Sequence, residues 1–177
     1  AGVLTQGDVL ISNAIEGHVE SILAKLQEAG AEVSSAKEGV RVRGGRCLKA
    51  VDVKTLPYPG FPTDMQPQIV TLLSVANGTS LVTETIFENR FKHIDELRRM
   101  GARVRLEGRS VIIYGVPRLT GAIVEASDLR AGAALILAGL VADGETLVEG
   151  TVHIDRGYER LEEKFKQLGA NIQRLTK

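Results

Sequence analysis

The sequence predicts an α/β fold built from three repeated units around a pseudo-threefold axis. Three observations point there. A phrase of His, an apolar residue, a helical stretch and a closing Leu-Gly-Ala pattern occurs three times, and an Asp-led apolar helix followed by a turn and a short strand occurs twice. Two strand–turn–strand patterns follow the first two copies of the His phrase. Internal repetition of this kind reports architecture more strongly than any single segment does.

In chain order, His18-Val19 opens the first copy. Val19, Ile22, Leu23 and Leu26 share one helical face, and Gly30-Ala31 ends the helix before a strand through Val33. The spacing is that of an amphipathic helix, and glycine at the stop accepts the left-handed conformation a helix C-terminus favours. His93-Ile94 to Gly101-Ala102 repeats the pattern, as does His153-Ile154 to Gly169-Ala170-Asn171-Ile172, with Tyr158, Leu161, Phe165 and Leu168 on its apolar face. Ala31 to Ser34 with Val40 to Arg43, and Ala102 to Leu106 with Ser110 to Tyr114 around Glu107-Gly108-Arg109, read as hairpins. The second phrase runs from Asp64 through Ile69 to Ala76, then Asn77-Gly78 and the strand Ser80 to Thr83. Its other copy runs from Asp128 through Ala131 to Ala142, then Asp143-Gly144 and Thr146 to Glu149. Both aspartates are placed to cap helices. Ala131 to Ala142 is apolar all round, which predicts the most buried helix of the fold.

Residues 1–177 are therefore expected to form one domain, with a partial first repeat (1–45), a second (46–117) and a third (118–177) that stops one strand early. The first copy lacks an opening strand and a buried helix. Its exposed remainder is expected to leave an open apolar edge near Val9, Ile11 and Ile15, to be completed by something outside the chain.

Composition narrows the function classes. Lys+Arg and Asp+Glu number 22 each, so 22 − 22 leaves no net charge and no basic excess of the kind nucleic-acid binders carry. Hydrophobic residues at 44% and charged residues at 25% are globular proportions. A single cysteine, Cys47, excludes an internal disulfide framework. No apolar run approaches the ~18 residues a membrane span needs. No leader pattern opens the chain, and no initiator Met does either. A soluble, cytoplasmic, incomplete protein is the expectation.

Asp64 follows a loop holding Pro57, Pro59 and Pro62, with Pro67 just beyond it. Prolines fix φ and stiffen such a loop. Asp64 is then either a helix cap or a rigidly placed catalytic carboxylate. Asp128 has the same two readings. Arg130 falls on a first helical turn, where the macrodipole disfavours a cation, so anion binding suits it better than helix stability does. Arg90, with Glu88 nearby, is either half of a surface ion pair or a ligand-facing guanidinium, and Arg156 has a matching place in the third repeat. The three histidines are repeat-equivalent and would be held far apart by threefold symmetry, so they are expected to be structural, with no metal site. Cys47 has no neighbouring base to activate it.

Four segments carry a family resemblance: Pro59-Gly60-Phe61-Pro62-Thr63-Asp64-Met65-Gln66-Pro67-Gln68, Thr83-Glu84-Thr85-Ile86-Phe87-Glu88-Asn89-Arg90-Phe91, Ala126-Ser127-Asp128-Leu129-Arg130-Ala131-Gly132 and His153-Ile154-Asp155-Arg156-Gly157-Tyr158. Together they resemble the UDP-N-acetylglucosamine 1-carboxyvinyltransferase family of enolpyruvyl transferases, over nearly the whole chain, as roughly the last two-fifths of such an enzyme. The resemblance implies an inside-out α/β barrel of three repeats. It implies transfer of the enolpyruvyl group of phosphoenolpyruvate to the 3-hydroxyl of UDP-N-acetylglucosamine with release of phosphate, the first committed step of peptidoglycan synthesis, with no cofactor.

By motif match, Asp64 resembles the general base on the sugar hydroxyl, and Ile86 the residue whose backbone meets UDP-N-acetylglucosamine. Asp128 resembles a carboxylate near the reacting centre. Arg130, with Leu129 beside it, and Arg156 resemble residues facing phosphoenolpyruvate, and Arg90 another cleft residue. The family's catalytic cysteine, its phosphoenolpyruvate-binding lysine–asparagine pair and its uridine-binding segments have no match here. The resemblance thus implies a catalytic half that needs the N-terminal domain of the same enzyme. Two alternatives remain: the shikimate-type enolpyruvyl transferase, and a non-catalytic repeat scaffold. The scaffold is favoured if Asp64, Arg130 and Arg156 do not converge.

Overall fold

Alternation of apolar residues builds the two main sheets of the computed structural model, which describes residues 1–175. β1 (Asp8–Ser12) is followed by α1 (Glu16–Glu28), then the hairpin of β2 (Glu32–Ala36) and β3 (Gly39–Arg43). The sheet order is β1-β3-β2, all antiparallel, with Val40 and Val42 buried and their neighbours facing out. The second sheet takes β4 (Val53–Lys54), then a 3₁₀ turn (Thr63–Met65) and α2 (Gln66–Leu73) before β5 (Thr79–Thr83). After α3 (His93–Arg99) come β6 (Arg103–Glu107) and β7 (Ser110–Tyr114), giving the order β4-β5-β7-β6 with only β4 and β5 parallel. The third portion is β8 (Leu119–Thr120), β9 (Ile123–Glu125), α4 (Leu129–Gly139), β10 (Ala142–Asp143), β11 (Leu147–Glu149), α5 (Thr151–Asp155) and α6 (Leu161–Gln167). β8 pairs with β10 and β9 with β11, both parallel, as a strand–helix–strand crossover requires.

The expected glycine stops are the most regular feature. α1, α3 and α6 end at Gly30, Gly101 and Gly169, with φ of 99°, 86° and 94°. In each case the next residue's N–H returns to a carbonyl five residues back: Ala31 to Leu26 (2.9 Å), Ala102 to Leu97 (3.0 Å) and Ala170 to Phe165 (3.0 Å). The glycine N–H bonds Gln27, Arg98 and Lys166 respectively. These are three identical Schellman closures, which glycine adopts without steric penalty.

One core runs through both sheets and the helices between them, including Val40, Val42, Leu73, Val82, Leu97, Val111, Ile113, Leu119 and Leu135. The expectation about the most buried helix is corrected. All eight residues of α2 are buried, whereas α4 leaves Leu129, Arg130, Ile136, Leu137 and Gly139 partly open. α4 also spans Leu129–Gly139, not Ala131 to Ala142, because the chain turns into β10 at Ala142. α2 lies between β5 and α4.

The third His phrase also departs from its copies. Its helix breaks into α5 and α6, none of α6 is buried, and no strand forms at 170–172 among the described residues. In the other copies the helix packs on a hairpin strand. Among the described residues no hairpin strand packs on α6, and Leu168 is exposed. The expected last residues, Thr176 and Lys177, lie outside the described residues. No closed barrel forms among those described.

β1 is an edge strand; Ile11 and Ile15 are exposed as expected, Val9 is half-buried, and Leu10 is exposed as well. A cavity of about 630 Å³ opens between the N-terminal turn (Leu4, Gln6), the chain after α2 (Val75, Asn77) and the end of α4 (Val141). Among the described residues no helix is long and apolar enough to cross a membrane.

Candidate active site

Three elements bring charge to one place. The 3₁₀ turn before α2 supplies Asp64, the loop before α3 supplies Arg90, and the first turn of α4 supplies Arg130. Arg130 grips Asp64 at two points: Nη2 donates to Oδ2 at 2.6 Å, and Nε lies 2.6 Å from Oδ1. Arg90 Nη2 donates to Asp64 Oδ1 at 2.8 Å. A planar guanidinium matches a carboxylate in this two-point geometry. The Asp64 side chain is 54% exposed and that of Arg90 only 15%, so the acid faces solvent over a largely covered cation. The Arg90 guanidinium also lies over the Phe87 ring, 4.5 Å from its centroid.

The cap reading of Asp64 is therefore corrected. The 3₁₀ turn delays α2 until Gln66, Met65 occupies its N-cap with no side-chain bond, and the Asp64 carboxylate turns to the two guanidiniums. Pro67 does fall in the first turn of α2. The surface-pair reading of Arg90 is corrected as well, since its partner is Asp64 and not Glu88. Asp128 is the true cap: its Oδ1 accepts from the N–H groups of Arg130 (2.8 Å) and Ala131 (2.9 Å). The same bond fixes the backbone that aims Arg130 at Asp64. Hydrogen bonding to Asp64, ahead of the desolvation that opposes it, holds the Arg130 guanidinium above its ordinary pKa.

The structure does not join Arg156 to this cluster by any ion pair among the described residues. It follows α5 as an exposed residue. Gly157 packs so closely on α4 that an added Cβ would lie 2.9 Å from Leu129 Cδ1, which brings the chain at Arg156 beside the Asp128–Arg130 turn. Ile86 is exposed at the tip of the loop before Arg90. Tyr158, near Arg130, accepts a 3.4 Å bond from Gln68 Nε2. The three histidines occupy unlike settings: His18 exposed, His153 half-buried, His93 buried. Cys47 is exposed, away from Asp64 along the cavity described above.

Two residues were missed. Glu84 is 1% exposed and accepts four hydrogen bonds. Burial raises its pKa, but the Ile86 N–H, the Thr55 hydroxyl, the Phe87 N–H and the Thr63 hydroxyl together outweigh that and hold it below the carboxylate range. A signal existed. Ser80 and Val82 face inward along β5, and Glu84 continues that alternation. His93, 1% exposed, has both ring nitrogens unpartnered. Nothing in its phrase separates it from the other two histidines.

Known proteins bear on this geometry. The family model for EPSP synthase (3-phosphoshikimate 1-carboxyvinyltransferase) matches residues 1–165. A UDP-N-acetylglucosamine 1-carboxyvinyltransferase of Desulfofundulus thermocisternus is 56% identical over 98% of this chain and 72% of its own length. The chain belongs to the UDP-N-acetylglucosamine 1-carboxyvinyltransferase family. Within that family, an enzyme of the same name with the suffix 1, from Caldanaerobacter subterraneus subsp. tengcongensis, is 57% identical over 98% of this chain. The chain spans 42% of that relative's length. Among solved structures, the enolpyruvyl transferase NikO from Streptomyces tendae superposes with a TM-score of 0.79 at 28% identity, over 88% of this chain and 36% of that one. EPSP synthase from Acinetobacter baumannii gives 0.62 at 21%, over 83% and 36%, a likeness of fold alone. The fold is thus that of the α/β enolpyruvyl transferases.

Proposed function

We propose that this chain carries part of the active site of an enolpyruvyl transferase. The reaction moves the enolpyruvyl group of phosphoenolpyruvate to the 3-hydroxyl of UDP-N-acetylglucosamine and releases phosphate, in peptidoglycan synthesis. The observation that carries the reading is the convergence of Asp64, Arg90 and Arg130 from three separate elements; of the expected trio Asp64, Arg130 and Arg156, the first two pair directly, while Arg156 makes no ion pair with them among the described residues. A scaffold gains little from two guanidiniums on one exposed acid, since exposed pairs contribute only ~0–1 kcal/mol. Relatives at 56–57% identity named for the sugar nucleotide, against 21% for the EPSP synthase structure, favour the sugar acceptor over a shikimate-type one.

In this reading Asp64 takes the proton of the sugar hydroxyl as its oxygen bonds to C2 of phosphoenolpyruvate, whose methylene carbon receives a proton from an acid that these residues do not provide; the addition product then loses phosphate and one methyl proton, which restores the double bond of the enolpyruvyl ether. Arg130 and Arg156 face the phosphoenolpyruvate carboxylate or phosphate. The backbone at Ile86 meets the sugar nucleotide, with Leu129, Asp128 and Arg90 lining the same cleft. Both oxygens of Asp64 lie against arginine. An arriving anion competes for Arg130 and frees one face of the carboxylate, so substrate binding itself readies the base. The remainder of the site would come from the length of the relatives that this chain does not span. The same reading treats residues 1–177 as one domain of three repeats (1–45, 46–117, 118–177) tending to an inside-out barrel. The shared β1-β3-β2 and β5-β7-β6 order and the three identical helix closures support it.

The test is phosphate release from phosphoenolpyruvate and UDP-N-acetylglucosamine. The chain alone should be silent, because proximity worth ~7–11 kcal/mol needs both halves of the site. An enzyme of the relatives' full length containing this segment should turn over, and its Asp64→Ala variant should lose at least ~100-fold in kcat, the size of a general-base contribution. Robust turnover by the chain alone, or near-normal kcat in Asp64→Ala, sinks the assignment.

A further inference from the structure

One buried carboxylate ties the Ile86 loop to the Asp64 turn. Glu84 directly follows β5, and its own N–H continues the sheet by bonding the Arg109 carbonyl at 2.8 Å. Its Oε1 accepts from the Ile86 N–H (2.7 Å), the Phe87 N–H (3.1 Å) and the Thr55 hydroxyl (2.8 Å). Thr55 Oγ1 in turn accepts the Thr85 N–H at 2.9 Å. The other oxygen, Oε2, accepts the Thr63 hydroxyl at 2.9 Å. Thr63 precedes Asp64, and its Oγ1 also receives Arg90 Nε at 3.3 Å, while Nη2 of the same guanidinium holds Asp64. The two oxygens thus divide the work: Oε1 shapes the loop, and Oε2 reaches the Asp64–Arg90 pair through one hydroxyl.

We propose that Glu84 is a positioning residue that locks the loop carrying Ile86 and Phe87 in register with Asp64 and Arg90. Acceptor binding and proton removal then share one geometry. The proposal rests on the transfer reading above and deepens it. All four partners donate, so the site demands an acceptor at both oxygens, which only an ionised carboxylate supplies. An amide would satisfy one side alone. Glu84→Gln can keep Oε1 toward Ile86, Phe87 and Thr55, but its Nε2 then presents N–H to the Thr63 oxygen and leaves the Thr63 O–H without its acceptor. Glu84→Ala removes both arms.

Two measurements decide it. In the full-length enzyme containing this segment, Glu84→Gln should lower kcat by up to about 100-fold, the cost of a misplaced reacting group. The KM for UDP-N-acetylglucosamine should stay within about threefold. Glu84→Ala should also raise that KM about tenfold or more, as the loop bonds are lost. Thr63→Val should mimic Glu84→Gln, and the double variant should lose no more than either alone, since both cut one linkage. A carboxylate that merely stabilises the fold would lower Tm and leave kcat of the folded enzyme within twofold in Glu84→Gln, which overturns the proposal. In the 177-residue chain, ¹⁵N NMR reads the linkage without turnover. Glu84→Gln should shift the Arg90 Nε–H signal and leave the Ile86 amide in place, and an unmoved Arg90 signal overturns the proposal independently. A wild-type full-length enzyme that releases no phosphate refutes the transfer reading, while the Arg90 signal still decides the role of Glu84.

Discussion

His93 makes the stability of this chain depend on pH in a window where carboxylates are silent. The imidazole opens α3 at 1% exposure with neither nitrogen hydrogen-bonded. Desolvation, the main cause, pushes the pKa from 6.5 down to about 4, against the pull of the nearby Asp128 carboxylate. The folded chain therefore refuses a proton that the unfolded chain accepts below pH 6.5. Stability rises with pH across that window and is lost as the pH falls through it toward 4. Each pKa unit corresponds to 1.36 kcal/mol, so the full effect is about 3 kcal/mol, of which about 2 kcal/mol is lost between pH 7 and pH 5. Glu84, Asp155 and Glu162 are also held below their ordinary values, but ordinary values of 3.8–4.5 confine their losses to more acidic solution. Urea unfolding followed by circular dichroism at pH 7.0 and 5.0 measures the difference. Wild type should lose about 2 kcal/mol more than His93→Leu, which has nothing to protonate at that position. The His93 ring signals should stay fixed from pH 8 to 5 by NMR. Parallel losses in the two proteins, or a His93 midpoint near 6.5, would refute the reasoning.

The two aspartates should separate by stability. Asp128→Ala should cost about 1 kcal/mol, the worth of an N-cap, and lower Tm by a few degrees, while Asp64→Ala should change Tm by under about 2 °C because it caps nothing. Calorimetry of the two variants checks the ordering. Asp64→Asn should strengthen phosphate binding to the chain about fivefold, since an internal competitor worth ~1 kcal/mol no longer occupies Arg130. NMR titration on the Arg130 and Ala131 amides reads the affinity, and unchanged or weaker binding would show that the guanidiniums are not available to anions.

Elements with a local cause were legible in the sequence. The Gly30, Gly101 and Gly169 stops, the Asp128 cap, the proline in the first turn of α2 and the hairpin around Gly108 each follow from a few adjacent residues. What was not legible depended on distant partners. Asp64 and Asp128 look alike in sequence, yet one caps a helix and the other takes two guanidiniums, because a single 3₁₀ turn moves Asp64 off the helix start. The α6 face has the right periodicity, but no hairpin among the described residues covers it, so periodicity alone overstated its burial there. Glu84 was hidden by polar neighbours, although its inward register on β5 was available. Four family motifs supplied the rest, since nothing in residue spacing names an enolpyruvyl group.

The charges of the site explain why the pieces are arranged as they are. Asp64 and Asp128 bring two negative charges, and Arg90 and Arg130 bring two positive ones. The charges of the cluster therefore balance, with Glu84 adding a buried charge held by neutral donors alone. An anionic substrate that engages Arg130 upsets this balance. Asp64 then keeps only Arg90, whose guanidinium is stacked on Phe87 and bonded to Thr63, and so cannot follow the ligand. Arg130 stands on the helix turn set by Asp128 with its side chain 28% exposed, and Arg90, 15% exposed, is bonded to the Thr63 hydroxyl that Glu84 holds. Under the proposed transfer, an anion on Arg130 would leave the Asp64 carboxylate one free face, which would couple the proposed base to the anion it serves.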